Sequence, residues 1–132
     1  MRELGRIVRL QVQQDSIKTG VKPFQTYTPA PNLKSVQSLN LNADGVEGVD
    51  EHGDTLPDIH NATHPNSKFR DDNAVSIGFT GHYEKIRDRF GDHMTTGIAG
   101  ENITVEFEGQ VSLDMIENGI VIRGENRDIK IA

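Results

Sequence analysis

Apolar and polar residues alternate regularly in two segments, and each alternation predicts a β-strand. The segments are residues 73–79 (NAVSIGF) and 103–107 (ITVEF). Their period is typical of a strand with one face in a core and the other in water. Less regular apolar patterns predict further strands over residues 5–12, 34–41, 111–113, 119–123 and 128–131. In the first of these, Leu10 and Val12 are predicted to share one face, with Gln11 on the opposite face.

One helix is predicted, over residues 81–90. Three apolar side chains lie at i, i+3 and i+7, namely Tyr83, Ile86 and Phe90. Thr80 offers a hydroxyl as the N-cap, and Gly91 is the expected C-terminal stop.

The remaining segments are polar and rich in turn formers. Residues 13–31 contain glycine and several prolines and predict loop or edge structure, and residues 42–45 (NADG) predict a turn. Residues 44–70 combine carboxylates with histidines and few apolar side chains, so we expect a long loop of a kind that is usually functional or mobile. Because the elements lack a regular βαβ order, they predict a mainly β fold, an antiparallel barrel or sandwich with one helix.

Length and charge restrict the class of protein. The 132 residues match a single domain, and a 34% hydrophobic content predicts a modest core. The formal net charge of -6 argues against binding to nucleic acid or to an anionic membrane, since either needs a basic surface. The chain has no apolar run of membrane-spanning length, and the start MRELG does not resemble a signal peptide, so we expect a cytosolic protein. The oligomeric state is left open.

Histidine and carboxylate side chains in the acidic segment are candidate metal ligands. His52, His60 and His64 provide imidazoles that, with neighbouring carboxylates, suit zinc, manganese or iron. A solvated acidic loop is the alternative. The chain contains no cysteine, which excludes disulfides, thiolate nucleophiles and cysteine-ligated metals within these residues.

Basic residues beside the acidic segment are candidates for binding an anion. Arg70, with Lys68, could hold a small anion such as a phosphate. The alternative is an ion pair with a nearby carboxylate, that of Asp71, Asp72 or Glu101. His82, in the first turn of the predicted helix, is either a neutral proton acceptor or ligand contact, or a capping or surface residue.

The segment before the strand at residue 103 is a candidate ligand-facing loop. Gly97 and Gly100 permit a positive φ and the close approach of another group to the backbone. Glu101 and Asn102 follow at the mouth of the strand, a position used either for ligand contacts or for tying a loop down.

Three segments in this order resemble the MOSC domain family, named for the C-terminal domain of molybdenum cofactor sulfurases. They are residues 34–48 (KSVQSLNLNADGVEG), 75–83 (VSIGFTGHY) and 97–105 (GIAGENITV), the last of which is similar to the family's glycine and Gly-Glu-Asn signature. The resemblance implies a MOSC-like β-barrel and association with the molybdenum cofactor, molybdenum ion or pyridoxal phosphate. The activities implied are sulfur transfer and, in some members, reduction of N-hydroxylated bases.

The resemblance also implies a set of ligand contacts. They are Gly97, Gly100, Glu101 and Asn102 around the cofactor, with Lys68, Arg70 and His82 nearby. Family members carry a cysteine beyond the last strands, and this chain has none. We therefore expect a single MOSC-like domain over residues 1–132 that stops before that cysteine or has lost it. The alternatives are a non-catalytic module that binds a small anion or a partner chain, and a metal-dependent enzyme that uses His52, His60 and His64.

Overall fold

The computed structural model describes residues 3–27, 31–124 and 128–131. The strands in this part of the chain are β1 (Ile7–Gln13), β2 (Lys18–Thr19), β3 (Thr26–Tyr27), β4 (Leu33–Ser35), β5 (Ser38–Asn42), β6 (Gly45–Val49), β7 (Thr55–Pro57), β8 (Ile77–Phe79), β9 (Ile103–Val105), β10 (Ile120–Arg123) and β11 (Asp128–Ile131). The helices are α1 (Thr80–Phe90) and α2 (Leu113–Ile116).

The fold is mainly β, as the sequence predicts, and its sheets are open. A four-stranded sheet has the order β4-β1-β9-β8, and a three-stranded sheet has the order β5-β6-β7. Two further pairs are the hairpins β2-β3 and β10-β11. Within the described ranges, every strand pair is antiparallel except β8 with β9, and the strands do not close into a barrel.

The four-stranded sheet has one apolar and one polar face. Leu10 of β1 lies opposite Ile103 of β9, and Ile103 lies opposite Ile77 of β8. Because paired residues project to the same side of a sheet, these side chains share the apolar face. The polar face carries Thr104 with its neighbour Arg9.

The two larger sheets meet at the end of β1. The backbone N–H of Ile59 donates to the carbonyl of Gln13 at 2.8 Å, and that of Asp58 donates to the carbonyl of Val46 at 3.0 Å. Val12, Val46 and Ile59 are fully buried there. The resulting core is aliphatic and small, as the composition predicts.

The predicted strand over residues 34–41 is in fact two strands in different sheets. Between β4 and β5 the chain changes partner, since the N–H of Val36 donates to Leu10 and that of Gln37 donates to Val49. The predicted turn at residues 42–45 is confirmed, because Asn42 pairs with Gly45 at the end of the β5-β6 hairpin. The prediction of an unstructured loop over residues 44–70 is wrong, since β6 and β7 lie within it.

The helix over residues 81–90 is confirmed, but its predicted N-cap is wrong. Phe79 is the N-cap residue, and no side chain caps the helix. The hydroxyl of Thr80 instead accepts a hydrogen bond from the N–H of Phe107 at 3.0 Å and donates to the Phe107 carbonyl at 3.3 Å. A backbone partner beyond β9 therefore takes the hydroxyl that capping would use. Gly91 ends the helix with φ 109°, as predicted.

Three further predicted strands differ from the structure. Residues 111–113 do not form a strand, because Leu113 begins the short helix α2 with its side chain 82% exposed. The predicted strands over residues 103–107 and 73–79 are present, but each is shorter than predicted: they correspond to β9 and β8.

In the part of the chain that the structure describes, no helix has the length and apolar character needed to cross a bilayer.

Candidate functional site

Two glutamines of β1 hold the glycine-containing loop at residues 97–101. The side-chain amide of Gln11 donates to the carbonyls of Gly97 at 2.7 Å and Glu101 at 2.8 Å. The amide of Gln13 donates to the carbonyl of Gly100 at 3.0 Å. Gln11, which the sequence predicts on the face opposite Leu10 and Val12, is 0% exposed because the loop covers it. The loop is therefore fixed to the centre of the sheet.

The two glycines of the loop occupy positions that an L-residue with a side chain fits poorly. Gly97 and Gly100 both have φ of 90°. A Cβ on Gly97 would lie 2.5 Å from Nε of Arg9, and one on Gly100 would lie 2.6 Å from Nε2 of Gln13. Both the positive φ and the close approach agree with the sequence prediction.

The carboxylate of Glu101 lies under the loop and joins three elements. Its Oε1 accepts from the hydroxyl of Thr104 at 2.7 Å, and its Oε2 accepts from the hydroxyl of Tyr83 in α1 at 2.5 Å. The Tyr83 oxygen in turn accepts from the N–H of Ala99 at 3.1 Å. Burial and the hydrogen bond to Glu101 raise the pKa of Tyr83 above its usual value, so this phenol stays a donor throughout the ordinary pH range.

Asn102 connects the loop to the residue before β8, to β1 and to the segment after β7. Its side-chain oxygen accepts from the N–H of Ser76 at 3.2 Å, and its amide donates to the carbonyl of Gln11 at 3.2 Å. The same amide donates to the carboxylate of Asp58 at 2.9 Å. The sequence left two roles open for Glu101 and Asn102, contact with a ligand or attachment of the loop. These hydrogen bonds match the attachment of the loop.

Asp58 is a buried carboxylate of this network that the sequence reasoning did not single out. Its Oδ1 accepts from the N–H of Gln13 at 2.7 Å, besides Asn102, and its Oδ2 accepts from the N–H and ring Nδ1 of His60 at 2.9 and 3.0 Å. Burial acts to raise the pKa of Asp58, but the hydrogen bonds from His60, Gln13 and Asn102 outweigh it, and the pKa is lowered. Gln13 and Asn102 lie 45 and 44 positions away along the chain, so local sequence carries no signal for their contacts with Asp58.

We call Gln11, Gln13, Asp58, Glu101 and Asn102 the buried polar cluster. Each side chain is at most 9% exposed. Among the described residues, no buried side-chain nitrogen or oxygen lacks a hydrogen-bond partner. The fully buried polar atoms of the cluster are thus already hydrogen-bonded within the protein, and its chemistry is that of a rigid framework.

The predicted anion-binding residues do not join this cluster. Nζ of Lys68 donates to the hydroxyl of Ser16 at 2.6 Å. Nε of Arg70 lies 3.7 Å from the Asp72 carboxylate, with both side chains more than 70% exposed. For Arg70, the structure therefore matches the alternative, an ion pair with a neighbouring carboxylate.

His82 also lies away from the loop. Its Nε2 accepts from the N–H of Val111 at 3.0 Å, and its ring lies 5.8 Å from that of Phe79. Accepting at Nε2 requires that this nitrogen carry no proton. Its acceptor atom serves the backbone rather than a ligand.

The structure does not gather the predicted metal ligands. His52 is exposed beside Glu51, and His60 bonds to Asp58. Nε2 of His64 donates to the carbonyl of Gln14 at 2.7 Å, while its Nδ1 accepts from the N–H of Asn66 at 3.0 Å. In the described ranges no three histidine, aspartate or glutamate side chains are placed to hold a metal ion. Each histidine ring has a different partner, so these side chains do not form a shared site although they are near in sequence.

A cleft of about 850 Å³ lies on the apolar face of the four-stranded sheet, which we call the hairpin cleft. One wall is the sheet, and the other is the β10-β11 hairpin. Apolar side chains form both walls, and they include Ile77, Phe79, Ile103, Val105, Ile120 and Ile122. Its charged residues are Glu3, Arg6, Arg123 and Lys130. The sequence reasoning missed this site because its walls come from segments that are distant along the chain.

No family model, no curated protein and no solved structure matches this chain.

Proposed function

We propose that the chain is a MOSC-type domain that binds a small anionic ligand, for which the molybdenum cofactor is the candidate that the sequence resemblance supplies. The proposal rests on one observation, the backbone conformation and the hydrogen bonds of the signature residues 97–102. Gly97 and Gly100 take a positive φ against neighbouring side chains, and Glu101 and Asn102 make several buried hydrogen bonds each. Each residue type therefore has a specific contact, which supports a meaningful resemblance.

In this proposal the signature positions the strand that follows and does not touch the ligand with its side chains. The polar atoms of Glu101 and Asn102 are already bonded within the protein. They do not fit the role of direct contacts to a pterin or phosphate. In this proposal, the ligand contacts surfaces whose position the loop fixes. The MOSC-like barrel belongs to the same proposal, since the observed sheets are open.

The proposal is one of binding. A sulfur transfer through a thiolate needs a cysteine, and none of the 132 residues is one. A molybdenum-dependent reduction or a sulfur transfer would therefore require a thiol from outside these residues. The alternative function is the non-catalytic binding of a small anion other than the molybdenum cofactor. A cytosolic location belongs to the same proposal.

The test is retention of molybdopterin by the purified chain. The protein is mixed with molybdopterin under anaerobic conditions and separated by gel filtration, and the pterin in the protein fraction is measured by fluorescence after oxidation. We expect close to one pterin per chain, and less for a Gly100→Ala variant than for the control Gly53→Ala. Gly53 has φ of 80°, and a Cβ there would meet nothing within 4 Å. Wild-type protein that retains no pterin would refute the cofactor.

A further inference from the structure

The hairpin cleft has the size and walls of a small-molecule site. Its volume of about 850 Å³ lies within the usual range for such sites, about 300 to 1,000 Å³. The parallel register of β8 and β9 sets Ile77 beside Ile103 and Phe79 beside Val105, which gives a continuous apolar floor. Ile7, at the start of β1, lies at the edge of this floor and is 40% exposed. Phe79 and Ile103 are only 6% and 2% exposed, so a molecule from solvent first meets Ile7, Ile77 and Val105, which are partly exposed.

The net charge of the residues that line the cleft is positive, whereas the net charge of the whole protein is negative. The whole chain has 20 acidic and 14 basic residues. The cleft, however, is lined by the three cations Arg6, Arg123 and Lys130 and by one carboxylate, that of Glu3. A local excess of positive charge in an acidic protein attracts anions to this place and not to the rest of the surface.

The three cations are available to a ligand. Within the described residues, none of them forms an ion pair, in contrast to Arg70 with Asp72. Arg123 faces Asp128 across the β10-β11 hairpin, yet the two side chains are not within ion-pair distance. Arg123 and Lys130 are diagonal neighbours in that hairpin, which places the two charges on one face, opposite to that of Ile120 and Ile122. Both cations nevertheless line the cleft, so they lie at its rim while the isoleucines form its wall.

The geometry points to the hairpin cleft as the binding site for a small anion with a flat apolar body. The body lies between the apolar floor and the hairpin, and the anionic group meets Arg6, Arg123 and Lys130. This inference deepens the proposed function by naming the site and the ligand class, and it rests on the proposed function only for the identity of the natural ligand. The buried polar cluster does not compete as a site, because its polar atoms are bonded internally.

Two fluorescent probes that differ in one charge test the inference. Anilinonaphthalene sulfonate has the required anion and flat body, and phenylnaphthylamine has a similar body without the sulfonate. The test variant combines Arg6→Gln, Arg123→Gln and Lys130→Gln, and all three side chains are exposed, which favours retention of the fold. The control variant makes the same change in net charge elsewhere on the surface, through Arg70→Gln, Lys85→Gln and Arg89→Gln.

We expect the test variant to bind the sulfonate at least about tenfold more weakly than the control variant, which corresponds to about 1.4 kcal/mol. Binding of phenylnaphthylamine should change by less than about twofold, since its contacts are apolar. Ile7→Trp, which fills the edge of the cleft, should weaken both probes. In the wild-type protein, the sulfonate should shift the amide NMR signals of Gly5 and Gly119, which line the cleft.

Equal sulfonate affinity in the test and control variants would overturn the inference, as would amide shifts confined to residues outside the cleft. Molybdopterin retention separates this inference from the proposed function. If molybdopterin binds and the test variant retains it fully, the cleft is the wrong site and the proposed function stands. If the sulfonate binds as expected and molybdopterin does not bind at all, the cleft stands and the cofactor is wrong.

Discussion

Replacement of Gly100 by alanine tests how closely the signature loop packs on β1. Gly100 has φ of 90°, and the new Cβ would lie 2.6 Å from Nε2 of Gln13 and 3.2 Å from Cδ1 of Ile17. Since Gln13 and Ile17 are buried, neither can move aside into solvent. The Gln13 amide must therefore give up its 3.0 Å hydrogen bond to the Gly100 carbonyl or shift the strand.

The expected loss of stability has two parts. A left-handed conformation costs a residue with a Cβ about 1 to 2 kcal/mol. A buried amide that loses its partner costs about 1 to 3 kcal/mol more. The sum is about 2 to 5 kcal/mol, a large share of the roughly 5 to 15 kcal/mol that stabilises a typical domain.

Urea unfolding followed by far-UV circular dichroism measures this loss, since the chain contains no tryptophan for a fluorescence signal. Gly53→Ala is the matched control, because Gly53 has φ of 80° and open space around it. It should lose only the conformational part, about 1 to 2 kcal/mol. In a Gln13→Ala background, the loss from Gly100→Ala should fall to a similar value, which a double-mutant cycle detects.

Equal losses for Gly100→Ala and Gly53→Ala would refute the close-packing argument. The same conclusion would follow if the Gln13→Ala background left the loss from Gly100→Ala unchanged. The slope of unfolding against urea must stay constant for this comparison, since a changed slope reports a changed denatured state.

Three further substitutions are predicted from the hydrogen bonds. Asp58→Asn should destabilise the folded protein by about 3 kcal/mol or more at pH 7. Because the pKa of Asp58 is lowered in the folded state, the wild-type carboxylate stabilises the fold above its unfolded pKa of about 3.9, and this stabilisation is lost as the pH falls through the folded-state pKa. The free energy of unfolding in urea should therefore differ less between pH 7 and pH 3 in the variant than in the wild type. An equal difference in both proteins would contradict the role given to the Asp58 carboxylate. Tyr83→Phe should cost about 1 to 3 kcal/mol, because the Glu101 carboxylate loses a donor, and an unchanged thermal midpoint would argue against this bond. Arg70→Ala should change stability by less than about 1 kcal/mol, since its pairing with Asp72 is exposed to solvent, and a larger loss in urea unfolding would show an unrecognised role.

Local patterns predict the parts of the fold that local physics decides. The alternation around Ile103 gives β9, the spacing of Tyr83 gives α1, and Asn42 to Gly45 gives the β5-β6 turn. Residues 111–113 are the counterexample, because a short apolar segment with its side chains exposed does not have to be a strand. Thr80 shows a second limit, since its hydroxyl has a tertiary partner that the helix-capping rule does not consider.

The candidate site was less accessible to sequence reasoning. The two glycines could be identified because the residue type itself implies a positive φ. The sequence predicts Gln11 on the polar face of a strand and Gln13 in the loop that follows, and only the loop at residues 97–101 makes both of them core residues. The histidines share a short segment of sequence, but each meets a different partner, so nearness along the chain is a poor guide to coordination.

The long sequence separation within the buried polar cluster has a consequence for synthesis of the protein. Gln11 bonds to residues 86 and 90 positions further along the chain. When β1 leaves the ribosome, its partner β9 has therefore not yet been made, and the pairing between the two central strands waits until about 90 further residues have been added. An unpaired central strand offers its backbone to other chains. The nascent protein, rather than the finished one, is the form that most needs protection from aggregation.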